Sequence, residues 1–215
     1  MQMSPMEKKS KKNLPLFSLD SSTLLQTVAN QQTKFSEEVR KSWKPKYCGE
    51  INMRIARDGT WYYYDSPIGR KEIVKLFSSI LIREVDKYFL ITPVEKVGIT
   101  VDDVPFIAVD FQTIIEHDVT YLVFQTNIDQ KIILGSSNPI RIVINEATQE
   151  PSPYILVREN IEARIDRKSF YRLIELGEYS KQNGIEYFGI RSGNTFFPII
   201  AKSELEVQSI ETPLT

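Results

Sequence analysis

The sequence predicts an α+β protein made of two related, mainly antiparallel β-rich units, each carrying one helix, with an extra helix N-terminal to both. Three observations predict it. The stretch Ile68-Gly-Arg-Lys-Glu-Ile-Val-Lys-Leu-Phe77 returns as Ile165-Asp-Arg-Lys-Ser-Phe-Tyr-Arg-Leu-Ile174, with Ile68/Ile165, Arg70/Arg167, Lys71/Lys168 and Leu76/Leu173 identical at one offset of 97. Lys87-Tyr-Phe-Leu-Ile91 reappears as Glu186-Tyr-Phe-Gly-Ile190 at an offset of 99, so each helical stretch leads to a similar strand. Between the copies lie short runs rich in aromatic and β-branched residues, separated by turn chemistry rather than by helical crossovers.

Taken in order, residues 1–46 read as a basic arm (Lys8, Lys9, Lys11, Lys12) and a helix. Asp20-Ser-Ser-Thr supplies its cap, and Leu24, Val28, Phe35 and Val39 share one face up to Trp43-Lys-Pro45. Residues 47–103 form the first unit. Ile51, Met53 and Ile55 alternate with Asn52, Arg54 and Ala56, and Asp58-Gly59 offers a two-residue hairpin turn into Thr60-Trp-Tyr-Tyr-Tyr64. After the turn Asp65-Ser-Pro67, a helix over 70–82 carries Ile73, Val74, Leu76, Phe77, Ile80 and Leu81, with Gly69 at its cap. Residues 104–203 form the second unit, with strands from 106, 120, 131, 140, 154 and 161. There Asp166 caps the repeated helix, and Ser192-Gly-Asn194 turns the chain into a closing hairpin. Residues 204–215 read as a tail.

Composition narrows the function classes. A hydrophobic fraction of 41% and a charged fraction of 26% belong to an ordinary globular chain. At this length folding buries roughly 70% of the unfolded surface. Residues 1–46 hold nine of the 27 Lys and Arg but only four of the 28 Asp and Glu, so the remainder is acidic. An acidic body argues against a nucleic-acid footprint, which needs a clustered basic face. No apolar run is long enough to span a bilayer or serve as a signal-peptide core, and the single cysteine, Cys48, forms no internal disulfide, so the expected compartment is cytoplasmic. The lone His117 sits in a turn between Glu116 and Asp118, and neither a phosphate-binding Gly-Lys-Ser loop nor a dinucleotide fingerprint is present. No cofactor or metal is expected.

The chemistry lies at the helix starts. Unpaired amides and the macrodipole make a helix N-terminus positive, so a cation there costs on the order of 0.3–1 kcal/mol unless something negative answers it. Both repeated helices nevertheless begin Arg-Lys: Arg70-Lys71 and Arg167-Lys168. One answer is a bound phosphate or carboxylate, held by amides and guanidinium together. The other is an internal salt bridge to Asp58, Glu72, Glu162 or Asp166. The strands before each helix add Arg54 and Arg164 on faces opposite the apolar residues. If the copies face each other, Arg54, Arg57, Arg70, Arg164 and Arg167 line one cleft, with Trp61 either a stacking surface or sheet core.

The motifs Cys48-Gly-Glu-Ile-Asn-Met-Arg-Ile-Ala-Arg-Asp-Gly-Thr-Trp61, Ser66-Pro-Ile-Gly-Arg70, Thr92-Pro-Val-Glu-Lys96, Ile161-Glu-Ala-Arg164 and Phe196-Phe-Pro198 resemble the bacterial domain-of-unknown-function family 1285, from about Cys48 to Pro198. The resemblance implies a duplicated core, a C-terminal half superficially like a pleckstrin-homology fold, and a binding site at the domain interface for a nucleotide-based ligand in signalling. Asn52 stands where the family often has Asp, and Arg191 where an aromatic is common, so contacts at those places are not carried over.

The functional expectation is a non-catalytic protein that binds an anionic, nucleotide-based small molecule between its domains. Arg70, Lys71, Arg167 and Lys168 surround the anion, Arg54, Arg57 and Arg164 complete the charge, Asp58 belongs to the same motif, and Trp61 stacks on a base. Two alternatives stay open. One is a hydrolase using Glu95 or Asp103, and the other is an interaction module whose pleckstrin-like half and N-terminal helix meet a signalling protein.

Overall fold

The computed structural model describes residues 37–205. The basic arm, the cap at Asp20 and the apolar positions Leu24, Val28 and Phe35 lie outside the described residues, as does the chain from 206 onward. The described part of the N-terminal helix is α1 (Glu37–Ser42), after which Trp43 packs against the core.

The first unit runs β1 (Lys46–Ile55), β2 (Trp61–Tyr63), β3 (Ser66–Pro67), α2 (Lys71–Ser79), β4 (Leu81–Glu84), β5 (Lys87–Ile91) and β6 (Glu95–Val101). Its six strands form one sheet in the order β3-β2-β1-β6-β5-β4. The second unit begins with β7 (Phe106–Glu116), β8 (Val119–Thr126), β9 (Lys131–Ile133), β10 (Ile140–Ile144), β11 (Pro151–Arg158) and β12 (Ile161–Ile165), which form a sheet ordered β10-β11-β12-β7-β8-β9. Then come α3 (Arg167–Glu175), β13 (Glu178–Gln182), β14 (Ile185–Ser192) and β15 (Thr195–Ala201), the last three making a separate antiparallel sheet.

Duplication shows at two levels. Around the helices the order is three strands, helix, three strands in both copies, and the 97-residue offset carries Leu81 at the start of β4 onto Glu178 at the start of β13. The two six-stranded sheets also share an arrangement: two antiparallel meanders joined at the centre by one parallel pair, β1 with β6 and β12 with β7. Each six-stranded sheet is mainly antiparallel, as expected, but mixed, with one parallel pair at its centre that the sequence expectation did not include. Sequence-adjacent strands do pair antiparallel through turns. The central pairs join strands far apart in sequence, and no local turn signal reports their direction.

Three local expectations also change. Helix α2 stops at Ser79 rather than 82. The N–H of Ile80 caps it by donating to Phe77, and Leu81, fully buried, opens β4 opposite Leu90. The N-cap of α2 is Arg70, not Gly69, and it makes no side-chain cap hydrogen bond. The hairpin between β1 and β2 is longer than two residues: Ile55 pairs with Trp61, and residues 56–60 form a loop closed by Ala56 donating to Thr60 and Gly59 donating to Ala56. Gly59 has φ +82°, and a Cβ there would sit 2.6 Å from Asn127 Nδ2 and 2.9 Å from Ile107 Cγ1, so a glycine lets the hairpin tip touch the second unit.

One core runs through both units. Met53, Ile55, Trp61, Phe77 and Leu90 join Phe106, Phe124, Ile155, Ile161, Leu173 and Ile190 in a continuous buried cluster. Each such side chain contributes on the order of 1.5–3 kcal/mol. The seam between the units is polar as well. Arg158 donates to the carbonyls of Ser78 and Leu81, and Arg40 to Ser79 at 3.1 Å, so guanidinium groups from outside the helix answer the carbonyl-rich C-terminus of α2. Asn127 accepts from the N–H of Ile107 at 3.2 Å and donates to the carbonyl of Gly59 at 3.4 Å.

Candidate functional site

Strand β12 alternates: Ile161, Ala163 and Ile165 are buried, which turns Glu162 and Arg164 to the other face. The register sets Arg164 beside Tyr154 and Tyr154 beside Arg141, a row across three strands whose Arg141 guanidinium lies 4.3 Å from the Tyr154 ring centre. Arg164 reaches across the seam and donates to the carbonyl of Arg57 at 2.9 Å. The hairpin loop of the first unit and β12 of the second are thus tied at one point.

At that point a cleft of about 370 Å³ opens, and Arg57, Arg164 and Arg167 all line it. Its other walls include Glu150, Phe170 and Tyr171, so a cationic mouth borders aromatic surface. The structure brings these three of the predicted arginines together and distributes the rest elsewhere.

At α3, Asp166 caps the helix by accepting from the N–H of Ser169 at 2.7 Å. This occupies an amide expected to face a bound anion, so that amide is not free for one. Arg167 donates through Nε and Nη2 to the hydroxyl of Tyr171 at 3.2 and 3.1 Å, which holds its pKa above the ordinary arginine value. Among the described residues no carboxylate lies within 4 Å of Arg167 or of Lys168.

At α2 the same motif meets a different answer. Lys71 pairs with Asp129 at 2.7 Å and Lys75 with its other oxygen at 2.9 Å. Asp129 comes from the β8–β9 turn of the second unit, and Lys71 first, then Lys75, lowers its pKa to about 2. The partner is none of Asp58, Glu72, Glu162 or Asp166 for Lys71. Arg70 is exposed, has no carboxylate partner among the described residues, and lies outside the cleft.

The remaining predicted residues have structural occupations. Arg54 forms a two-pronged pair with Asp102, with Nε to Oδ1 at 2.9 Å, and holds the Asp102 carboxyl below its usual pKa. Asp58 accepts from the N–H of Thr60 at 2.9 Å, a turn contact that lowers its pKa in the same way. Trp61 is 1% exposed and stacks on Phe77 with ring centres 6.3 Å apart, so it is sheet core and offers no face to a ligand. A tryptophan beside a run of three tyrosines looks like a binding platform in sequence. The strand alternation nonetheless turns it inward beside Ile55.

One residue of the arrangement, Tyr171, is absent from the sequence expectations, and another, Asp103, enters them only as a hydrolytic alternative. Tyr171 is the aromatic group that the cleft exposes, and its spacing of four from Arg167 puts both on one helix face, a signal that was legible. Asp103, read as a hydrolytic candidate, instead underlies the arginines. Its carboxylate lies 3.6 Å from Arg164 Nε and 3.8 Å from Arg57 Nε, and accepts from the Tyr154 hydroxyl at 3.1 Å. Burial first, then the Asp103 charge, raises the pKa of that hydroxyl. Glu95, the first residue of β6, is buried, and its N–H donates to Thr92 Oγ1 at 3.0 Å, away from the cleft.

Fold and site together define a duplicated α+β protein with a three-arginine cleft at the seam of its units. No helix among the described residues is long and apolar enough to cross a membrane. The chain belongs to the DUF1285 family: the family's N-terminal domain, described as a domain of unknown function, matches residues 39–104, and its C-terminal domain matches residues 105–199. Among solved structures it is similar to a DUF1285 family protein from Silicibacter pomeroyi DSS-3, at 51% identity and a TM-score of 0.68, over 76% of this chain and 87% of that one. A DUF1285 family protein from Shewanella baltica OS155 matches at 28% identity and a TM-score of 0.47, over 58% of this chain and 91% of that one. No curated protein matches.

Proposed function

We propose that this protein binds an anionic small molecule, nucleotide-based, in the cleft bounded by Arg57, Arg164 and Arg167, without turning it over. The observation that carries the reading is the convergence of three arginines from both units on the lining of one concavity, where a single acidic residue, Glu150, joins them. Phosphate oxygens suit such a forked donor set, and charge-assisted hydrogen bonds to guanidinium are roughly twice as strong as neutral ones. Tyr171, 56% exposed, takes over the stacking role first given to Trp61. The resemblance to a pleckstrin-homology fold in the C-terminal half, and a part in cytoplasmic signal transduction, belong to the same proposal. A ligand bridging Arg57 and Arg164 would report its presence through the relative placement of the units.

Thermal-shift measurement against phosphate, pyrophosphate and a panel of nucleotides tests it. A ligand at 100 times its Kd adds about 2.7 kcal/mol of stability, a rise of roughly 5–10 °C in Tm for a chain of this size. Recovery of the ligand unchanged after incubation distinguishes binding from hydrolysis. A flat response to every anion would end the reading.

A further inference from the structure

Asp103 stands in an unusual relation to the cleft. It belongs to the linker between β6 and β7, does not itself line the cleft, and places its carboxylate behind two of the three arginines that do. Its distances to Arg57 and Arg164, 3.8 and 3.6 Å between nitrogen and oxygen, are ion-pair distances longer than hydrogen bonds. The orientation of Arg164 is set by a different contact, its 2.9 Å hydrogen bond to the carbonyl of Arg57. Asp103 is itself held by the Tyr154 hydroxyl, and its side chain is only 19% exposed. A carboxylate that does not direct the guanidinium groups, yet sits beside them out of bulk water, acts on them through charge.

Resting on the cleft reading above, we propose that Asp103 sets the charge selectivity of this site as a fixed internal counter-anion. It subtracts from the positive potential that an incoming ligand meets. Its repulsion acts on each negative charge of the ligand, so it weighs more against a more highly charged anion. The neighbouring Asp102 supplies a built-in comparison. It is one residue away and its carboxylate pairs with the guanidinium of Arg54, which is not part of the cleft, while its tie to Arg57 is to the backbone N–H rather than to the guanidinium.

The experiment is calorimetric titration of inorganic phosphate and pyrophosphate into the full chain and into Asp103→Asn, Asp103→Ala and Asp102→Asn, with Tm recorded for each. The charge-removing changes at 103 are expected to tighten phosphate binding several-fold and pyrophosphate binding roughly tenfold or more, while Asp102→Asn shifts neither beyond about twofold. The alanine variant guards against an effect peculiar to the asparagine amide. Equal or weaker binding in folded Asp103 variants overturns the charge-selectivity inference while leaving the cleft reading intact. A uniform gain across both aspartates overturns it too, by reducing it to net charge. If neither anion binds any of the four proteins, the cleft reading itself falls.

Discussion

The two helix starts, α2 and α3, carry the same Arg-Lys pair and resolve it oppositely. At α2 the cap is Arg70 without a side-chain hydrogen bond, and a carboxylate from the other unit, Asp129, neutralises Lys71 and Lys75 together. At α3 the cap is a well-placed Asp166, and the cations Arg167 and Lys168 have no carboxylate within 4 Å among the described residues, Arg167 resting on a phenol at the cleft. After duplication, one copy has turned its basic helix start into a contact between units, and the other has kept it available. A repeated charge motif is therefore a repeated problem in electrostatics, and only the neighbours decide which copy solves it internally.

The largest expected effect separates the copies by ligand binding. Arg167→Ala removes a charge-assisted donor from the cleft and is expected to weaken anion binding by about ten- to a hundredfold, with Tm within about 2 °C of the parent. Arg70→Ala, at the matching position of the first copy, is expected to change binding less than twofold. Calorimetry with pyrophosphate measures both. Equal losses at the two positions would mean that the two helix starts are functionally equivalent.

A smaller effect separates them by stability. Asp166→Ala leaves the Ser169 amide without its acceptor and removes a negative charge from a helix N-terminus, so it should cost about 0.5–2 kcal/mol. Arg70→Asp introduces at α2 the residue type that caps α3 and should stabilise by up to about 1 kcal/mol, since the position already has the extended backbone of an N-cap (φ −87°, ψ 108°). Urea denaturation of the pair gives both signs. A destabilised Arg70→Asp would show that Arg70 has a partner beyond the helix.

Much of this fold was legible because local periodicity and turn chemistry are strong here. Strands such as Thr195–Ala201 stand where alternation put them, and Asp166 caps as its residue type predicts. The misses share physical causes. Strand β4 was hidden because Ile80-Leu81-Ile82 continues the apolar pattern of α2, and a buried strand and a buried helix end look alike over three residues. Its counterpart β13, Glu-Tyr-Ser-Lys-Gln, is largely exposed and carries no apolar alternation at all. The parallel central pairs are non-local and leave no mark in any short window. Of the site, the arginines of the second copy could be read from their motif, but their assembly with Arg57 depends on a seam between units. For Trp61 the residue type left stacking and sheet core both open, and its parity with Ile55 in the hairpin decided burial.

The smallest expected effect is the pH signature of the α2 solution. The Asp129 carboxyl titrates at about 2 in the folded protein against an ordinary 3.8, because Lys71 and Lys75 favour its charged form. A depressed folded-state value means that the pair contributes stability fully above the ordinary carboxylate range and loses it as pH falls from about 4 through about 2. Asp129 is solvent-exposed, so the contribution is modest and salt-screened. Asp129→Asn keeps a residue tolerant of the left-handed backbone at this position (φ +65°) while removing the charge. The expected outcome is a slightly lower stability at neutral pH and a shallower decline between pH 4 and 2, read from urea midpoints across that window at low salt. An acid decline as steep as in the parent protein would show that Lys71 and Lys75 are answered by something other than Asp129, and would remove the internal solution from the first copy.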